Sequence, residues 1–212
     1  MKNLLYKELN LSINKFYYIL PLLLSLLFFI PQWIYSFVFM YFFWISVSQI
    51  FVGFTAQRDY SFNSMLPVTK KDIVTSKSIA YFLIELLHLL FGIIFGVIHN
   101  LIYGVPNFLM DINPAFFGIM FMMFGLFNII FLPIYFKTAY KFGKATIYGV
   151  VITLLFAAFF ELGSLKLPFV RNIVESSNTL VQIGILMIGI VTFIVLSVIS
   201  VRQSITNYEN IQ

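Results

Sequence analysis

From Phe16 to Ala56 the chain runs 41 residues without a charged side chain. As one α-helix that run would be about 62 Å long, twice the roughly 30 Å hydrocarbon thickness of a bilayer. A single membrane helix cannot hold it, so it predicts two spans joined by a tight turn. Pro31-Gln32 is the best turn candidate, because proline removes a backbone donor and disfavours helix at the residue before it. The first span then comes out short, unless it begins near Leu11 with Lys15 snorkelling outward.

The remaining sequence agrees with a membrane protein. Of 212 residues, 61% are hydrophobic and 10% charged, against about 45–50% apolar in soluble domains. There is no cysteine, which removes a disulfide frame and cysteine metal sites. Residues 1–15 are mixed in character and lead into far too long an apolar run for a cleaved signal peptide; they read as an amphipathic interfacial helix. Further spans fall at 79–103, 115–136, 145–160 and 180–201, each ending near charge, proline or glycine. The expected fold is an all-α membrane protein, a single transmembrane domain over 1–212 with six transmembrane helices. No internal repeat supports an inverted-repeat transporter.

The net charge of +5 fits lysines facing an anionic leaflet and does not require nucleic acid. Eleven of the 13 Lys and Arg residues lie at the amino terminus, in the loops after spans two and four, and in the tail. Only Lys166 and Arg171 fall on the other side. Positive-inside reasoning predicts both termini in the cytoplasm of a multi-pass plasma-membrane protein.

The stretch "NSMLPVTKKDIVTSK", Asn63 to Lys77, is a polar island in the segment 57–78. Just before it and across its start, Phe62, Met65 and Leu66 recur at helical spacing among polar Arg58, Asp59, Ser61 and Asn63. That pattern predicts a short amphipathic helix ended by Pro67. Thr69 and Asp72 match a capping box, so a second helix should start at Thr69 and run into span three. An ordinary loop with snorkelling lysines is the competing reading.

Inside span three, Glu85 and His88 lie three residues apart and share a helix face, with Gly92 and Gly96 on roughly the same stripe. With Tyr81 they are candidates for a substrate pathway, since ionisable groups within a membrane face a cavity or a partner. The alternative is a structural pair, with Glu85 bonded to His88 or to a neighbouring span. Glu161, at the outer end of span five, is a candidate extracellular gate or a mere interface marker. Asn128 in span four reads as a helix–helix hydrogen bond. No metal motif is complete. A phosphate-binding loop needs glycine, lysine and a hydroxyl at fixed positions. The nearest string, "TAYKFGKA" from Thr138 to Ala145, puts threonine at the first glycine position and alanine at the hydroxyl position. Any ATP hydrolysis is therefore expected in a separate chain.

The stretch "SMLPVTKKDIVTSKSIAYF" resembles a segment of small bacterial permeases of the ABC-2 type, and "LLYKELNLSINKFYYIL" resembles their amino-terminal start. The resemblance implies the membrane subunit of an ATP-driven exporter, not itself an enzyme, in a bacterial plasma membrane. It implies a coupling helix at Arg58 to Leu66 that docks on an ATPase subunit carrying ATP and magnesium. The implied contacts are Arg58, Asp59, Phe62, Met65 and Leu66, with Lys70, Lys71 and Asp72 at the membrane end. Family relatives carry an acid at the start of this segment; here Gln57-Arg58-Asp59 stands there, with Asp59 as the available acid. A second permease copy, identical or similar, would complete the pathway. The expected cargo is hydrophobic or amphipathic, with peptides such as phenol-soluble modulins as the example. The competing class is an ATP-independent immunity protein or channel.

Overall fold

The computed structural model describes residues 2–57 and 59–211. Among these the regular elements are all helical. The chain opens with α1 (Lys2–Lys7) and a π-helical turn (Glu8–Ser12), then α2 (Phe16–Ser25) with a 3-10 extension (Leu26–Phe29). Next come α3 (Tyr35–Tyr41), a π-helical stretch (Phe42–Val47) and α4 (Ser48–Ala56), together one crossing. The short α5 (Asp59–Ser64) precedes α6 (Lys70–Tyr103), α7 (Pro114–Lys137), α8 (Phe142–Lys166), α9 (Pro168–Val174) and α10 (Thr179–Glu209).

Among the described residues five helices are long and apolar enough to cross a membrane, or six if the bent pair Lys2–Ser12 and Phe16–Phe29 counts as one span. That pair turns by 69°. The break falls at Asn14, whose side-chain carbonyl accepts from the Phe16 amide at 3.0 Å and so starts α2 afresh. With its 3-10 extension, α2 rises about 23 Å, short of the hydrocarbon core. The turn between α2 and α3 falls at residues 30–34, with Gln32 at φ 56°. Helix α6 starts earlier than its apolar run. Thr69 Oγ1 accepts from the Asp72 amide at 3.1 Å and donates to Asp72 Oδ2 at 2.8 Å, so the helix begins at Lys70.

Contacts divide the loops between two ends. Leu9, Ser12, Gln57, Lys77, Tyr140 and Tyr208 meet at one, which carries most of the lysines. Tyr18 Oη donates to the Leu9 carbonyl, Gln57 to the Ser12 carbonyl, and Tyr140 stacks on Tyr208. Phe28, Gln32, Tyr35, His99, Tyr103 and Pro106 meet at the opposite end.

The central helix is α7, most of which is buried. Apart from Asn128 its buried length is apolar all round, as expected of a helix enclosed by others. Phe43 stacks on Phe127 with centroids 4.1 Å apart, and Phe51 meets Tyr135 edge-on at 4.5 Å. On another side α7 lies parallel to α10. A Cβ on Gly118 would stand 2.5 Å from the Ile185 carbonyl oxygen, and one on Gly189 would strike Gly118 itself. Glycine here lets two backbones touch, the usual basis of close helix packing in lipid. Further along, Asn207 Nδ2 donates to the Pro133 carbonyl at 3.1 Å.

Candidate functional site

The basic end is organised around a four-membered ion network. Lys77, on the first turns of α6, is 1% exposed. It pairs with Glu8 at 3.1 Å and with Asp59, and its ammonium lies 3.6 Å from the centroid of Phe54. Lys7 pairs with the same two acids. Two cations and two anions therefore cancel in a nearly dry pocket, the condition under which buried charge is tolerable. Asn63 completes it, donating to Asp59 Oδ2 at 2.8 Å and accepting from Lys7 at 3.0 Å. Burial pushes the Asp59 carboxyl upward, but Lys77 and Lys7 outweigh it and hold the group below the ordinary carboxylate range. The network thus ties three elements together: the amino-terminal segment, α5 and α6.

This geometry splits the expected ATPase contacts. Asp59 and Asn63, four residues apart, face inward on α5. Phe62 is 50% exposed and Met65, just past α5, is 81% exposed. Leu66 is half-buried, Lys71 exposed and Asp72 half-buried at its cap. Lys70 binds the carbonyls of Glu209 at 3.2 Å and Ile211 at 2.7 Å, so it caps the end of α10. Arg58 lies outside the described residues. Sequence reasoning missed Glu8 and placed Lys77 among the loop lysines. A signal existed: Glu8 is the only acid before Asp59 in a chain with eight.

A second polar group lies in the interior. Glu85 is fully buried and accepts from Asn128 Nδ2 at 2.9 Å and from Tyr81 Oη at 3.4 Å. Asn128 also donates to Ser197 Oγ at 3.1 Å. Tyr81, Glu85, Asn128 and Ser197 thus form one chain linking α6, α7 and α10. His88 does not join it. Its Nε2 meets the Val38 carbonyl at 3.2 Å, and its ring stacks on Phe42. All three candidate pathway residues are enclosed by this chain's own helices. Glu85→Gln should preserve one acceptor for Asn128 and leave expression near wild type, while changing transport severalfold if the carboxylate serves the pathway. Loss of folded protein with no separate transport effect would assign Glu85 to structure alone.

At the opposite end Glu161 is 5% exposed, and its Oε2 accepts from the Met110 amide at 3.2 Å. It thereby ties α8 to the 104–113 loop.

The family model described as ABC-2 family transporter protein matches residues 3–209. The chain belongs to the ABC-2 transporter family. As such it is a multi-pass membrane protein and a permease-type transport subunit, and members normally work with an ABC ATPase. No curated protein and no solved structure matches. The ion network and the interior polar chain are therefore features of this ABC-2 protein read from its own geometry.

Proposed function

We propose that this ABC-2 permease is the membrane subunit of a two-component exporter whose ATPase docks on α5. The observation that carries the reading is the division of α5 into two faces. Its inner face is fixed to Lys77 at the root of α6 and to Lys7; its outer side leaves Phe62 exposed, with Met65 exposed just past its end. An apolar anchor on a partner would push on a helix already clamped to a membrane span. In this reading the lysine-rich end faces the cytoplasm, and Leu66, Lys71 and Asp72 border the contact. A second permease copy completes the pathway, and ATP and magnesium reside on the ATPase.

The connections at the other end are short, residues 30–34 and 104–113 and the α9 segment to 178. They leave little room for a receptor domain, which favours export. Apolar helix faces favour hydrophobic or amphipathic cargo, with amphipathic peptides first. Glu161 is placed to act as an outer latch.

The test is reconstitution with the ATPase encoded beside the permease gene. Phe62→Ser combined with Met65→Ser should leave the melting temperature of the isolated permease within about 2 °C. The same variant should lower permease-stimulated ATP hydrolysis roughly tenfold, since exposed apolar anchors of this kind dominate docking. Unchanged stimulation would place the docking face elsewhere. Failure of any ATPase to co-purify would favour an ATP-independent immunity protein or channel.

A further inference from the structure

A groove of about 460 Å³ runs between α6 and α10, lined by Ile79, Phe82 and Leu86 on one side and by Ile194, Val198 and Arg202 on the other. Its wall is almost wholly apolar until Arg202. We propose that this groove binds one acyl chain of an anionic phospholipid, with the lipid phosphate on the Arg202 guanidinium.

Three observations point to that occupant. The first is charge. Arg202 is exposed and has no ion-pair or side-chain hydrogen-bond partner among the described residues. A guanidinium left free at the end of an apolar groove matches a phosphate above a hydrocarbon chain. Lys71 adds a second cation. Lys71, Thr75 and Ile79 follow at four-residue steps on one face of α6, so an exposed ammonium stands beyond the groove's basic end. Lys70 is not available for this role, since it caps α10.

The second is length. From Arg202 back to Phe193, the deepest α10 residue of the groove, the helix rises about 14 Å. That is about half of the roughly 30 Å hydrocarbon core, the depth of one leaflet. A single acyl chain fits; a transmembrane helix of a second copy would need the groove to continue.

The third is the floor. Ser197 lines the groove and its hydroxyl is already engaged by Asn128. No free polar group below Arg202 asks for a polar ligand. The same hydroxyl ends the Tyr81–Glu85–Asn128 chain, so the lipid would rest against the interior polar group.

The inference does not rest on the exporter reading, and its test contains no ATPase. The full-length chain, purified in mild detergent, is exchanged with palmitoyl-oleoyl-phosphatidylglycerol or with the matched phosphatidylcholine. Retained lipid is then counted by native mass spectrometry. Phosphatidylglycerol should be retained over phosphatidylcholine by roughly fivefold, the effect of about one basic residue at a membrane surface. Arg202→Gln should remove most of the preference and Arg202→Lys should keep most of it. Ile194→Trp, which fills the groove, should reduce retention of both lipids. Equal retention of the two lipids by the wild-type protein would overturn the proposal. So would an unchanged preference in Arg202→Gln. A shift from dimer to monomer in Ile194→Trp, with lipid retention unaltered, would assign the groove to a second copy of the chain instead.

Discussion

Lys77→Met is expected to destabilise the detergent-solubilised protein by about 3–5 kcal/mol, the range for removing one partner of a buried ion pair. Glu8 and Asp59 would remain in a pocket that Lys7 alone cannot neutralise. The double variant Lys77→Met with Glu8→Gln restores neutrality and should recover much of the loss, a coupling that a double-mutant cycle measures directly. The readout is the melting temperature, with proteolysis between residues 57 and 69 reporting release of α5. If the single variant melts like the wild type, the network is not holding these elements together. The pH dependence follows from Asp59. Its carboxyl is held below the ordinary value of 3.8, so its contribution is complete above that pH. It is lost only as the pH falls through the lower folded value. The Asp59 contribution to the clamp should therefore be indifferent to pH across the neutral range.

Gly189→Leu should be as damaging by a different route. The new Cβ would meet the Gly118 backbone, which cannot rotate away as a side chain could. Overpacking of this kind costs about 3 kcal/mol, and the helix pair it separates is the most extensive in the fold. Gly184, on the same helix, has nothing within 4 Å of where a Cβ would stand. Gly184→Leu therefore serves as the control and should express normally. Equal expression of the two variants would show that α7 and α10 do not approach as closely as described.

The five long apolar helices were legible because lipid imposes a one-dimensional rule: a long uncharged run must be helix, and charge or proline must end it. The division of the polar island was legible for a local reason too, since Thr69 and Asp72 need only each other. What escaped depends on partners distant in sequence. Lys77 looks like any juxtamembrane lysine until Glu8, 69 residues earlier, is placed beside it. Glu85 shares a helix face with His88, yet it bonds across to Asn128, because each side chain turned to a different neighbouring helix. The first apolar run is too short for a full span, and the break at Asn14 explains it: the amino-terminal segment turns aside to deliver Lys7 and Glu8 to the network.

The glycine contact between α7 and α10 limits how this molecule can change shape. Backbone seated on backbone has no side-chain layer to slip, so the two helices can turn or tilt only as one block. Rearrangement is left to the joints around them: the bend at Asn14, the turn at Gln32, and the connection after α7, where Ala139 and Tyr140 both hold positive φ. A cysteine cross-link between α7 and α10 should thus be silent in any functional assay, whereas one across those joints should lock the protein in a single state.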